Sequence, residues 1–162
     1  MSNINEIQIQ QYMGADLAKK DIRKLRDIIY KNFEHIADIE ELNHTAYEIF
    51  RLLISSLSIV FLAIYNRKII GYIVAEITEI DSKRLLHIAY LYVVPTYRKN
   101  GVGTYLLNRI TQSGTEYNAD AISLTFDTYN KKLENFYFSN YFNYDPNFRS
   151  KQRYDMMLKK LK

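Results

Sequence analysis

The chain has 162 residues, enough for one domain with a real core, and its 48% hydrophobic and 25% charged content describes a folded chain rather than a disordered one. The absence of cysteine excludes disulfides, thiolate nucleophiles and cysteine zinc sites, and no metal-ligand spacing links the histidines. A net charge of +4 would suit a polyanion, yet the basic residues are scattered and no basic-aromatic recognition motif occurs among the 15 tyrosines and 8 phenylalanines, so no nucleic-acid partner is expected.

The N-terminal "MSNINEIQIQ" carries neither a basic n-region nor an apolar h-region. The longest apolar run, residues 57–65, is strand-sized and far short of the roughly 20 residues that span a bilayer. A cytoplasmic protein with no membrane partner is the expectation.

Along the chain, residues 5–13 alternate Ile7 and Ile9 against Gln8 and Gln10, as a half-buried strand does. The period lengthens over residues 15–33, where Leu17, Ile22, Leu25, Ile28, Ile29 and Phe33 recur every three to four positions, predicting an amphipathic helix. An acidic, turn-like stretch follows, with Glu34, Asp38, Glu40 and Glu41. A second helix over residues 45–57 opens with Thr45 and Glu48 at capping-box spacing. Residues 58–66, 68–80 and 84–94 are rich in β-branched and aromatic residues and are separated by short turns, which predicts an antiparallel meander. The turn-rich stretch 95–103 leads into a helix. Then come a strand at 121–126, a helix at 130–140, and two short strands around Phe142 and over 154–161. The order β-α-α-β-β-β-α-β-α-β-β predicts one α/β (α+β) domain over residues 1–162, a mixed, mostly antiparallel sheet flanked by helices.

Two of the five glycines, Gly101 and Gly103, sit between the fourth strand and the third helix. A helix start offers unpaired backbone N–H groups and the positive end of the dipole, and glycine lets an anion approach them. Residues 98–104 (Arg98, Lys99, Asn100, Gly101, Val102, Gly103 and Thr104) could therefore form a nest around a pyrophosphate. The Walker and dinucleotide patterns both fit poorly, because no lysine follows Gly103 and a third glycine is missing. A plain strand-to-helix turn would also use a glycine here.

The run "RKNGVG" matches R/Q-x-x-G-x-G/A, and "NKKLENFYFSNYF" matches N-x-x-A-x-x-L/F-Y-x-x-x-G-F, with Asn130, Phe136, Tyr137 and Phe142 in register. The closing "YDMMLKKL" is similar to a last strand in the same pattern. In these motifs, and in element order, the chain resembles the GNAT superfamily of N-acetyltransferases. Leu133 and Tyr141 depart from the family's alanine and glycine, and Asn140 is the residue expected to take the left-handed cap.

The resemblance implies acetyl-CoA as cofactor, its pyrophosphate on residues 98–104 and its pantetheine arm along the fourth strand near Leu91 and Val93. It implies acetyl transfer to a primary amine, of a small molecule or of a protein lysine or N-terminus, with Tyr137 protonating the leaving thiolate. His87 lies where some relatives place the base, and without a bulge it would share a strand face with Leu91 and Val93. Read as residues alone, Leu91 and Val93 fit core packing, Tyr137 a buried helix face, and His87 a strand histidine bonded to a neighbour. Glu76 and Glu79 are the other base candidates. Asn130 either caps its helix or holds the cofactor arm. His35 and His44 read as surface residues. The four acidic residues from Glu34 to Glu41 could draw in a cationic amine acceptor. The alternative to an enzyme is a catalytically silent CoA-binding regulatory module of the same fold, which the Tyr141 departure keeps open. Either a monomer or a homodimer is compatible with the sequence.

Overall fold

Alternating and helical spacings become six strands and four α-helices in the computed structural model, which describes residues 6–13 and 19–162. In chain order these are β1 Gln8–Met13, α1 Lys19–Asn32, α2 Ala46–Ile54, β2 Ser58–Tyr65, β3 Lys68–Ile80, β4 Lys83–Val93, α3 Val102–Glu116, β5 Ala121–Asp127, α4 Lys131–Ser139 and β6 Tyr154–Lys160. The expected start of the first helix, with Leu17, lies outside the described residues. The strands form one sheet in sequence order, antiparallel throughout except where β4 runs parallel to β5.

Period-2 alternation sorts the central residues of β2 and β3 between two cores, while Leu85, Ala121 and Leu158 form a smaller third cluster. Ile59, Phe61 and Ala63 of β2, with Ile73 and Ala75 of β3, pack against Val102, Leu106, Leu107 and Ile110 of α3. Val60, Leu62, Tyr72 and Val74 pack on the other side against Ile22, Leu25 and Ile29 of α1 and Ile49, Leu52 and Leu53 of α2. Thr45 caps α2 as its spacing predicts, accepting from the Glu48 amide at 3.1 Å.

The strand expected around Phe142 is reduced to one bridge between Asn143 and Leu158. Tyr141 turns the chain with a positive φ just before it, and Asp145 caps a short 3-10 turn that begins at Pro146 just after it, so a longer ladder has no room. Three residues between two turns cannot make a strand.

The left-handed residue at the end of α4 is Tyr141, with φ 70°, while Asn140 sits at φ −102°. The Phe142 amide donates to the Tyr137 carbonyl and the Tyr141 amide to that of Phe138, the paired bonds of a Schellman motif, so the left-handed position falls one residue later than expected. Asn140 is instead buried, its side-chain amide donating to the Phe136 carbonyl at 2.8 Å. A tyrosine at positive φ is strained, and Tyr141 is exposed. Tyr141→Gly is therefore expected to raise stability by about 1 kcal/mol in denaturant melts. An unchanged or lower midpoint would mean that the Tyr141 contact with Lys159 outweighs the strain.

Candidate active site

β4 and β5 stay paired only from Leu85–Ala121 to Ile88–Leu124, and beyond that they part. A cleft of about 540 Å³ opens there, lined by Ala89, Tyr90 and Leu91 of β4, by Thr125, Phe126 and Asp127 of β5, and by Tyr137 of α4. From Tyr90 to Val93, β4 is paired to β3 alone, so its other edge offers backbone groups to a ligand. An extended arm could add there as a strand would.

Just before this edge the register with β3 slips. Tyr90 pairs with Val74 but Ile88 with Ala75, which leaves Ala89 as a bulged residue. A bulge reverses the parity on its two sides. His87 therefore does not share a face with Leu91 and Val93. Those two pack with the α3-side core, whereas His87 pairs with Glu76 on the face of α1 and α2. It lines the cleft all the same, from the opposite side. Its Nδ1 is 2.8 Å from Ser123 Oγ on the neighbouring β5, as a strand histidine bonded to a neighbour would be. Burial pushes the imidazole pKa down and outweighs the upward pull of Glu76, so His87 is neutral at pH 7.

Glu76 also lines the cleft, and Arg51 of α2 approaches it at 3.6 Å while bonding Glu48 at 2.9 Å. Glu79 is exposed and does not line the cleft. Among Glu34, Asp38, Glu40 and Glu41, only Glu41 does. Glu48 and Arg51 were missed as cleft residues. Their spacing of three on one helix was the available signal, but it reads equally as a surface ion pair.

Tyr137 is buried among Phe126, Phe136 and Phe142, and burial raises its phenol pKa well above the ordinary value. No protein group among the described residues is bonded to its hydroxyl. The group is a proton donor facing the cleft, not a phenolate. Asn130 caps α4, its Oδ1 accepting from the Leu133 amide at 3.1 Å, which leaves its side-chain amide to offer a ligand.

His44 is not a surface residue. It is 2% exposed, with Nδ1 2.8 Å from the Tyr90 hydroxyl and Nε2 3.1 Å from the Tyr30 carbonyl. It stacks on Tyr30 with ring centroids 5.2 Å apart. Nothing in its local sequence marks that role, because Tyr30 and Tyr90 are remote in the chain. His35 is exposed, as expected.

Residues 98–104 follow the free edge of β4 but do not line the cleft itself. Gly101 stands at φ 83°, a conformation glycine alone adopts easily, and it precedes the first turn of α3. No side chain caps that turn, and the first helical bond runs from the Tyr105 amide to Gly101, so the amides of Val102, Gly103 and Thr104 have no partner among the described residues. Gly103 has a different reason. A Cβ there would lie 3.1 Å from Phe136 Cζ and 3.9 Å from Val93, so glycine lets α3 sit close to α4. Arg98 folds back, its Nε donating to the Val93 carbonyl at 2.7 Å and its guanidinium lying over Tyr92. A free edge followed by an uncapped helix start suits a long ligand with an amide-bearing arm and a phosphate, as coenzyme A is.

Several solved structures share this architecture. PaiA N-acetyltransferase from Thermoplasma acidophilum, in complex with coenzyme A, is 19% identical with a TM-score of 0.70, over 95% of this chain and 98% of that one. Arabidopsis thaliana NAA60 in complex with acetyl-CoA is 18% identical with a TM-score of 0.65, over 94% and 96% of the two chains. An aminoglycoside acetyltransferase from an uncultured soil metagenomic sample is 24% identical with a TM-score of 0.64, over 84% and 88%. At these identities the likeness carries the fold, and a sequence search among curated proteins finds no match. The family model "Acetyltransferase (GNAT) family" matches residues 21–139, a span that holds the bulged strand, the glycine loop and Tyr137. The chain belongs to the GNAT acetyltransferase family, whose cofactor is acetyl-CoA.

Proposed function

We propose that this chain is an N-acetyltransferase that moves an acetyl group from acetyl-CoA directly to a primary amine. The observation that carries the reading is the parting of β4 from β5 after Ile88, which sets a free strand edge beside a cleft bearing Tyr137 on one wall and His87 with Glu76 on the other. Acetyl-CoA, when bound, supplies the activated acetyl group as a thioester. The chain's own work is to hold and to move protons. The edge of β4 near Leu91 and Val93 binds the pantetheine arm, the amides of residues 101–104 bind the pyrophosphate, and the Asn130 side-chain amide adds a donor.

An amine attacks only when neutral, so a base on the α2-side wall must take a proton from the acceptor's ammonium, and His87 of β4 and Glu76 of β3 are the groups placed for it. As the C–N bond forms and the C–S bond breaks, the Tyr137 hydroxyl gives its proton to the departing sulfur, the new amide nitrogen sheds its surplus proton to solvent, and Tyr137 regains one from solvent. No covalent bond to the protein is needed. Glu41, Glu48 and Glu76 outnumber Arg51 on the acceptor wall, which favours a cationic acceptor. The neighbours' acceptors include aminoglycosides, and the acidic wall of this cleft fits that class of amine-bearing compound.

The test is thermal unfolding with and without acetyl-CoA, beside Gly101→Glu, which puts a carboxylate and a strained side chain into the phosphate site. Ligand at ~100-fold its Kd adds about 2.7 kcal/mol of stability to the unmodified chain. The variant is expected to lose that gain, and no gain in either protein would end the reading. A silent CoA-binding module would show the same gain but consume no thioester with any amine. The Schellman turn accommodates Tyr141 while Tyr137 still lines the cleft, which favours the enzyme.

A further inference from the structure

Ser123 is fully buried, and among the described residues its hydroxyl has one hydrogen-bond partner, Nδ1 of His87 at 2.8 Å. Two arrangements satisfy that distance. In one, the imidazole carries its proton on Nδ1 and donates it to Ser123, which strands the serine's own O–H in the protein interior with no acceptor. In the other, the serine O–H donates to Nδ1 and every buried group is paired. A buried donor without an acceptor bears its full desolvation penalty, whereas His87 lines the cleft and its Nε2, which is not a buried unpartnered atom, can meet water in either arrangement. Hydrogen-bond accounting selects the second.

Resting on the proposed acetyl transfer, we infer that Ser123 is a positioning residue: its hydroxyl places the proton of neutral His87 on Nε2, so that His87 enters the cleft as a hydrogen-bond donor and Glu76 is the base. Glu76 is the cross-strand partner of His87, held by Arg51, and it lines the same wall. Nε2–H orients one water between the acceptor and Glu76. An N–H bond of the acceptor ammonium breaks as that water gains the proton, and the water's other proton passes to the Glu76 carboxylate. The result is a neutral amine, a water and a neutral carboxyl group. The other charged groups on this wall are Glu41 and, on α2, Glu48 and Arg51.

Glutamine is a discriminating replacement for His87. Its side-chain oxygen accepts from Ser123 and its amide donates to the cleft, but it cannot act as a base. His87→Gln is expected to keep kcat within about 10-fold of the unmodified enzyme, while His87→Ala and Glu76→Gln each lose at least ~100-fold. If His87→Gln is as inactive as His87→Ala, the inference is overturned. A second readout needs no turnover. Nitrogen-15 spectra of the full chain at about pH 8, where the ring is neutral, should show the Nε2–H form in at least ~10-fold excess, with both forms populated in Ser123→Ala. A predominant Nδ1–H form overturns the role of Ser123. If acetyl-CoA fails to stabilise the protein, the acetyltransferase reading falls by itself, while the spectra still decide the tautomer.

Discussion

Tyr137→Phe is expected to lower kcat by about 10²- to 10⁴-fold while the Kd for acetyl-CoA and the melting temperature stay close to those of the unmodified chain. The size follows from losing a general acid at the bond-breaking step. Stability is spared because the hydroxyl has no protein partner among the described residues, and the aromatic contacts with Phe126, Phe136 and Phe142 survive in a phenylalanine. Burial raises the phenol pKa above 10.0, so the hydroxyl stays protonated across the neutral range. Any alkaline fall in rate due to Tyr137 should accordingly begin above pH 10 and be absent from the variant. The measurement is steady-state kinetics of thioester consumption with a saturating amine, beside a melt. If kcat is unchanged, Tyr137 is simply a core aromatic. If kcat and stability fall together, the residue supports the helix and not the chemistry.

Most of the architecture could be read from periodicity. β3 runs from Lys68 to Ile80 as expected, and Asn130 and Thr45 cap the helices they were assigned to. What escaped were features decided by contacts between remote segments. The bulge at Ala89 follows from pairing with β3, since the run of apolar residues through β4 looks regular in either register. His44 looks like a turn residue, and only the approach of Tyr30 and Tyr90 buries it. The sequence marks Gly101 and Gly103 alike, yet one answers a positive φ and the other the nearness of Phe136.

That one bulged residue organises the site. It lets a single strand present Leu91 and Val93 toward the α3 side while His87 joins Glu76 and Arg51 on the α2 side. The proposed cofactor edge and acceptor wall thus meet across Ala89, which is exposed to the cleft. With uninterrupted alternation both sets would point one way, and the amine would have to approach through the space the pantetheine arm needs.

The last strand carries the second large effect. Asp155 of β6 is 1% exposed and accepts from Arg149 Nε, the Ser150 amide and the Met156 amide, each at 2.8 Å. Asp155 is buried but Arg149 is exposed, so Asp155→Ala chiefly strips the Ser150 and Met156 amides of their acceptor, a loss of about 1–3 kcal/mol out of the roughly 5–15 kcal/mol that holds a domain folded. Burial alone would raise this carboxyl's pKa, but the Met156 amide, Arg149 and the Ser150 amide more than offset it, and the value lies below 3.8. A depressed carboxyl pKa contributes stability that is complete above the unfolded-state value and is lost as pH falls through the folded one. The gap between the unmodified chain and Asp155→Asn should therefore be constant near neutrality and shrink below about pH 4. Urea melts across that range decide the matter. A gap that persists unchanged in acid would assign the loss to packing and not to the charge. β6 also pairs the cleft-lining Tyr154 with Asp127, so loss of the neighbouring Asp155 charge in acid is expected to loosen this wall of the cleft.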